Sequence, residues 1–383
     1  MNEIRILHIM DKVSVDGSRI HGPARQIAYR VPLYPSGRFK VMLLNLRGED
    51  AACDVLRQAG VEVVSLNKGK YDLSSLFDVL RIMRNWRPSL LHLHGYASFN
   101  FGRVAGRIRH VPVVIQEHYV DKQLPHYQRA IDWFLRNWQS KALAVSKPVA
   151  DFMITDRYVP AEQMEVLVNG LPVDRIVRST PEERLALRRQ LGIPGGAIVV
   201  GTAGRLAEMK GHHYFLQAAK LILERVPDAW FVVVGEGPQA GALRAQADEL
   251  GLGNRVIFTG YQENVAPYLS LMDVGVVASI FNEGFNTVGL EMFAVDLPLV
   301  ITDLPCFHEA YAHDENVLMV PPRDERALLE SVVRLLQEPE LARRLIEGGR
   351  KTVKRCRIDQ VAARYAAIYE ELAGASTDTS DSE

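Results

Sequence analysis

Short apolar runs punctuate the chain along its whole length. In the first half they are IRILHI (4–9), VMLLNL (41–46), VEVVSL (61–66), LLHLH (90–94), VPVVIQ (111–116) and ALAV (142–145). Each is too short and too β-branched to stand as a helix, so each predicts a strand. Helical stretches lie between them. In LSSLFDVLRIMRNW, Leu76, Leu80 and Met83 recur at i, i+4 and i+7, and Pro88 stops the pattern. Strands that are apolar on both faces and alternate with helices predict a parallel sheet covered on both sides. The turn cluster Asn169 to Pro172 closes this half, and the charged segment Asp174 to Arg189 predicts a new helix. The pattern then repeats with AIVVGTAG (197–204), WFVVVGEG (230–237), RVIFTG (255–260), VGVVAS (274–279), LPLVITD (297–303) and NVLMV (316–320). The expected organisation is an α/β chain of two Rossmann-like open parallel-sheet domains, 1–175 and 176–357. A helix over 358–373 and a polar tail, 374–383, expected to be disordered, follow.

The 383 residues exceed what a single growing core accommodates, in keeping with two domains. A formal net charge of −1 supplies no global field to gather nucleic acid. Cys53, Cys306 and Cys356 are far apart and lack metal-ligand spacing, which argues against a disulfide scaffold or a structural zinc site. MNEIRILHIMD is broken by Arg5, His8 and Asp11 and reads as a strand, not a signal peptide; no run approaches a bilayer span. A cytoplasmic, reducing location is expected.

Ligands of open parallel sheets bind beyond the carboxyl ends of strands, so residues just after strands are the informative ones. Arg205 and Lys210 follow AIVVGTAG, ahead of a helix expected near Gly211. They read as a diphosphate site or as a solvated basic loop, since no P-loop spacing is present. FNEGFNTVGLEMFA follows VGVVAS. With a helix starting near Asn286 or Thr287, Glu283 falls in the loop and Glu291 more than one turn inside the helix. The amides of Gly284, Phe285, Asn286, Thr287 and Val288 would face an anion or sugar hydroxyls. Each carboxylate can accept paired hydroxyl hydrogen bonds, one from a hexose and one from a ribose. Leu290, Met292, Phe293 and Ala294 surround Glu291 with apolar side chains, which makes an idle carboxylate there costly.

His118 ends VPVVIQEH at another carboxyl edge, as a structural hydrogen bonder or a functional one. His92 and His94, at i and i+2 on one strand, read as a metal pair or as a packed strand end. In the long loop from Asp11, Gly17 and Gly22 precede Pro23, which opens a helix. GEGP at 235–238 does not extend to the dinucleotide fingerprint, because position 240 is Ala. No Asp-x-Asp occurs, so cationic side chains and helix dipoles would have to neutralise a diphosphate without metal.

Taken together these segments resemble retaining glycosyltransferases of family 4. The matches are Glu283 to Glu291 (E-G-F-x-x-x-x-x-E), Gly204 to Gly211 (G-R-L-x-x-x-K-G), Gly235 to Pro238, Asn169 to Asp174 and the strand-end His118. The resemblance implies the GT-B fold, two Rossmann-like domains facing across a cleft, with scope for the C-terminal helix to cross back to the first. It implies a nucleotide-diphosphate sugar as substrate, UDP-sugar favoured, and no metal or other cofactor. Gly22, Gly204, Arg205, Lys210, Glu283, Gly284, Phe285, Asn286, Thr287 and Glu291 would bind the donor. His118, Glu283, Arg205 and Lys210 would carry catalysis, with the departing phosphate taking the acceptor proton on the same face. The sequence departs from the family at Met292, at Asp296-Leu297-Pro298 where Gly-x-Pro is usual, and at Gly22-Pro23 where two glycines are usual.

The hydroxyl acceptor falls to the first domain. RIMRNWR (81–87), RVAGRIRH (103–110) and RAIDWFLRNW (129–138) are basic, the last with interleaved aromatics. They read as a face for anionic membrane or as helices packing Trp133, Phe134 and Trp138 inward. Rival readings are a nucleotide-sugar epimerase or phosphorylase on the same two-domain plan, and a non-catalytic nucleotide-sugar-binding protein.

Overall fold

The computed structural model describes residues 3–14, 20–70, 72–121, 123–281 and 283–378. The chain divides into two compact units. The first comprises residues 1–170 with 358–383, and the second Leu171–Arg357. The division thus falls after Gly170, not near 175. A Cβ on Gly170 would meet Ile358 Cα at 2.7 Å, because the first residues of the final helix pack on that turn.

The first unit holds β1 (Ile4–Met10), β2 (Phe39–Asn45), β3 (Glu62–Ser65), β4 (Leu90–His94), β5 (Val113–Glu117), β6 (Lys141–Ala144) and β7 (Met164–Val166). They form one sheet in the order β3-β2-β1-β4-β5-β6-β7, with every pair parallel. Strand order reverses between β1 and β4, and a crevice opens at the carboxyl ends of such a pair. Strand β7 is beyond the sequence expectation: three residues with a central Glu165 carry no strand-like apolar run. Helix Ser74–Trp86 ends before Pro88 with Arg87 at φ 53°, but its buried stripe is Ser75, Val79 and Met83. Leu76 and Leu80 flank that stripe, about one residue round the helix from the face that packs.

The final helix, Ile358–Asp378, belongs to this first unit. Val361, Ala362, Tyr365, Ala366, Ile368 and Tyr369 share a buried cluster with Ile6, Leu43 and Val114 of the sheet. It outruns the expected end at 373 because Ala373 and Ala375 favour helix and no proline intervenes. Residues 379–383 of the expected tail lie outside the described residues.

The second unit contains β8 (Ile198–Ala203), β9 (Ala229–Val234), β10 (Val256–Gly260), β11 (Val274–Val277), β12 (Leu299–Thr302) and β13 (Leu318–Val320). Their order, β10-β9-β8-β11-β12-β13, is again doubly wound, with its switch between β8 and β11. The charged segment after residue 174 begins as a short 3₁₀ turn, Val173–Arg175. The α-helix starts only at Pro181, where Thr180 and Glu183 close a reciprocal capping box. Asp296 follows helix Val288–Ala294 at φ 58°, a left-handed position where glycine costs least. Its carboxylate is gripped by Arg350 at 2.6 and 2.8 Å and approached by Arg178 at 3.4 Å. Ion pairing thus offsets backbone strain at the place where a glycine is absent.

Candidate functional site

The second unit places Arg205, Lys210 and Glu283 on the loops at the β8/β11 switch. After β8 the chain passes Gly204 and Arg205, makes a 3₁₀ turn over Glu208–Lys210 and enters helix His212–Arg225. Gly211, at φ 63°, lies so close to β11's exit that an added Cβ would stand 2.0 Å from the Ala278 carbonyl oxygen. Only glycine permits that approach, and the Ile280 N–H then donates to Met209 O at 2.8 Å. Gly235 is equally constrained: a Cβ there would meet Gly204 O at 1.9 Å. The G-R-L-x-x-x-K-G and G-x-G-P segments are therefore glycine-rich because three strand-end loops pack backbone on backbone.

This stitching carries Lys210 to Glu283. Lys210 Nζ donates to Glu283 Oε1 at 2.5 Å, and Ser279 Oγ donates to the same oxygen at 2.7 Å. The carboxylate is buried, with 6% of its side chain exposed, whereas Lys210 keeps 22%. A charge-assisted hydrogen bond of this kind contributes about 1.5–3 kcal/mol. Ser279 is fixed in turn, since Thr302 Oγ1 donates to its carbonyl at 2.6 Å.

His212, which sequence reasoning passed over, opens the helix and faces Arg205 O through Nε2 at 3.2 Å. Burial presses its pKa down to about 4, so the ring is neutral and its N–H can hold the Arg205 main chain. Arg205 itself is half-buried.

The glutamate pair differs from expectation in one respect. Helix Val288–Ala294 starts later than Asn286 or Thr287, so Glu291 is its fourth residue and lies in the first turn. Just ahead of the N-cap Thr287, Asn286 Oδ1 accepts from Gly289 N at 2.9 Å, and Tyr311 donates to the Asn286 carbonyl at 2.6 Å. Asn286 is thus tied to the first turn and buried with Gly284 and Phe285, while Thr287 and Glu291 are half-buried.

The first unit is built differently at its own β1/β4 switch. His8 of β1 lies in register with His92 of β4, and His94 follows two residues on, so all three share one sheet face. His8 Nδ1 and His94 Nε2 lie 3.0 Å apart, and His94 Nδ1 and His118 Nε2 lie 3.0 Å apart. His92 Nδ1 pairs with Tyr369 OH at 2.7 Å, and Gln116 Nε2 donates to Tyr365 OH at 2.7 Å. Arg30, fully buried, stacks on the Tyr365 ring at 3.7 Å. Burial first, then the Arg30 charge and neighbouring rings, depress His8 to about 3 and hold His92 and His94 well below the ordinary range. His118 is lowered by burial and by the charges of His21 and Arg30.

The metal-pair reading of His92 and His94 therefore acquires a third candidate, His8, but the arrangement suits hydrogen bonding better. The rings lie 4.4–5.3 Å apart at interplanar angles of 17–32°, and His8 and His94 spend nitrogens on each other. Near-parallel rings do not converge lone pairs on one ion, and the Arg30 charge opposes a cation.

Gly22 is the exposed first residue of helix Gly22–Arg30, and His21 Nδ1 accepts from Ala24 N at 3.2 Å. Gly17 lies outside the described residues. After β4, Asp11 accepts from Ala97 N at 3.1 Å and Ser98 N at 2.8 Å, so a carboxylate already occupies that helix start. Trp133 and Phe134 are 55% and 64% exposed, which overturns the inward-packing alternative; Trp138 stands partly buried beside Phe134. Among the described residues no helix is long and apolar enough to cross a membrane.

Comparison with known proteins follows the same division. Residues 36–175 match the family described as Glycosyltransferase Family 4, and residues 183–352 match Glycosyl transferases group 1. The chain is 29% identical over 328 residues to an alpha-D-kanosaminyltransferase of Streptomyces kanamyceticus, covering 79% of this chain and 83% of that protein. It is 23% identical over 310 residues to a UDP-Gal:alpha-D-GlcNAc-diphosphoundecaprenol alpha-1,3-galactosyltransferase of Escherichia coli, covering 77% and 79%. In fold it resembles Anabaena HepE, crystallised with UDP, at a TM-score of 0.83, 19% identity and coverage of 96% and 100%.

Proposed function

We propose, from the premise that this chain belongs to the GT-B glycosyltransferases of the family 4 type, that it is a retaining enzyme using a nucleotide-diphosphate sugar. It moves a hexosyl or N-acetylhexosaminyl group to a hydroxyl acceptor in polysaccharide, glycolipid or glycosylated-metabolite synthesis. The observation that carries the reading is the cluster of Lys210, Glu283 and Ser279 at the β8/β11 switch, with Arg205 on the adjoining loop.

Glu283 neutralises Lys210. A diphosphate arriving beside Lys210 and Arg205 brings acceptor oxygens of its own, and Glu283 becomes available to sugar hydroxyls. Glu291 takes the ribose. The bond between the anomeric carbon and the phosphate oxygen breaks while the acceptor oxygen bonds to that carbon on the same face. The acceptor proton passes to the departing phosphate oxygen, whose growing charge the two cations stabilise without a metal. UDP is the favoured nucleotide, supported by the UDP-Gal donor of the E. coli relative and by HepE crystallised with UDP and with UDP-glucose.

Thermal shift against UDP-, GDP- and ADP-sugars tests donor choice, because a ligand of the native state raises Tm. Lys210→Ala and Arg205→Ala are each expected to lower turnover by about 10²–10³ while melting near wild type. Near-wild-type rates refute the diphosphate assignment. C2 inversion of a donor incubated alone would indicate an epimerase, and phosphate-dependent cleavage of a glucan a phosphorylase.

A peripheral contact with anionic membrane is supported by Trp133 and Phe134 standing exposed on a helix flanked by Arg129 and Arg136. Co-sedimentation with phosphatidylserine vesicles at low and moderate salt, lost in Trp133→Ser/Phe134→Ser, is the expected result. No binding to such vesicles discards it. Three free, buried cysteines suit the reducing cytoplasm as the place of work.

A further inference from the structure

Arg205 is held through its main chain. Gly204 N donates to Val234 O and Leu206 N to Glu236 O, each at 2.9 Å, which lays this stretch along the exit of β9. The Arg205 carbonyl accepts from Ala207 N at 2.9 Å and faces His212 Nε2 at 3.2 Å. Lys210 stands in the chain between those two donors. Its own N–H donates to Ala207 O at 3.0 Å, and Ile280 N donates to Met209 O at 2.8 Å. His212 therefore closes a segment that starts at one cation and contains the other.

The partner of the ring decides where its proton sits. A carbonyl oxygen only accepts, so a bond to it needs an N–H on Nε2. His212 is buried, and burial presses its pKa down to about 4, so the ring is neutral and carries a single proton. Nδ1 is then bare. That atom is buried without a partner among the described residues, and a lone pair is the less costly group to leave there. The Nδ1–H form would set a lone pair against the carbonyl at one end and strand a donor at the other. Both nitrogens thus select the same tautomer.

We propose that His212 is a positioning residue: its Nε2–H ties the start of helix His212–Arg225 to the Arg205 carbonyl, and so holds Arg205 and Lys210 at the spacing that lets both meet one diphosphate. This role rests on the diphosphate assignment of those two side chains; the tie between the ring and Arg205 O does not. The consequence is selective. Without the tie each cation can still meet a phosphate, but the pair is no longer preorganised to meet two at once. A nucleoside diphosphate then loses more affinity than the monophosphate of the same nucleoside.

The test is calorimetry of UDP and UMP on the full chain, joined to ring ¹⁵N–¹H correlation spectra in which the His212 signals are assigned by their absence in His212→Gln. The expected wild-type ring has Nε2 protonated and Nδ1 bare. His212→Phe keeps a ring without a donor and is expected to weaken UDP about tenfold and UMP by less than about twofold. His212→Gln sets an amide N–H near the former Nε2 and should hold UDP within about threefold of wild type. A role in stability alone would weaken both nucleotides alike. That result overturns the proposal, as does an Nδ1–H wild-type ring, unchanged UDP binding in His212→Phe, or a glutamine variant as weak as the phenylalanine one. Should His212→Phe not fold, His212→Met, also without a donor, takes its place in the same comparison. Wild-type protein that binds none of UDP, GDP and ADP would defeat the glycosyl-transfer reading instead, and the spectrum would still report the tie to Arg205.

Discussion

The two sheets share one topology and treat their switch points in opposite ways. In the second unit, the loops after β8 and β11 hold Lys210, partly open to water, in an ion pair with the buried carboxylate of Glu283. In the first unit the β1/β4 switch is lined by neutral imidazoles, a buried guanidinium lies among tyrosines, and Asp11 already fills the adjoining helix start. The difference lies in where the residues sit. Side chains on two loops beyond strand ends can meet as a cation and a carboxylate. Side chains on a sheet face beneath a helix lose their charge to desolvation. One doubly wound plan can therefore supply an anion-receiving site or an uncharged hydrogen-bonding one.

Acid should separate the two units most. The folded pKa values of His8, His92 and His94 lie below their unfolded value near 6.5, so folding favours their neutral form. Their contribution is complete above about pH 6.5 and is lost as pH falls from there toward the folded values, by about 1.4 kcal/mol per pH unit for each ring. Asp11 and Glu117, both raised by burial, oppose this in part. Hydrogen exchange followed from about pH 7 to about pH 5 should show β1 and β4 opening before β8 and β11; the reverse order breaks the comparison.

A second probe acts on the open site. Glu283→Gln releases Lys210 from its partner, so UDP should bind a few-fold tighter by calorimetry while turnover falls about a hundredfold. Weaker UDP binding would mean that the ion pair shapes the phosphate site instead of competing with it. A smaller effect is expected at the closed site. Tyr369→Phe removes one buried hydrogen bond to His92 and should cost about 1 kcal/mol in urea unfolding, with donor KM unchanged. Asp296→Gly should be smallest: relief of the φ 58° strain, about 1 kcal/mol, nearly cancels the exposed ion pairs lost with the carboxylate.

Twelve of the thirteen strands, both sheets and the residues after β8 and β11 could be read from the chain, because apolar runs and strand-end position are local signals. Lys210 and Glu283, read separately from two loops, prove to be bonded partners. What escaped is non-local. In IRILHIMD, His8 reads as an interruption of an apolar run, since the helix that buries it enters the sequence only at Ile358. His212 was overlooked because its partner is a main-chain carbonyl, which side-chain patterns do not encode. The fixing of Asn286 depends on Gly289 N and on Tyr311, the latter from a separate segment.

Because the final helix seals the first sheet, strands that precede the second unit in the chain acquire their full interior only once residues after Ile358 join them. A nascent chain paused anywhere before Ile358 exposes β1 and β4 with Arg30 and three imidazoles bare to solvent. Those groups, no longer desolvated by that helix, are then free to ionise. The interior of the first unit is thus completed by a segment that lies beyond the whole of the second in the chain.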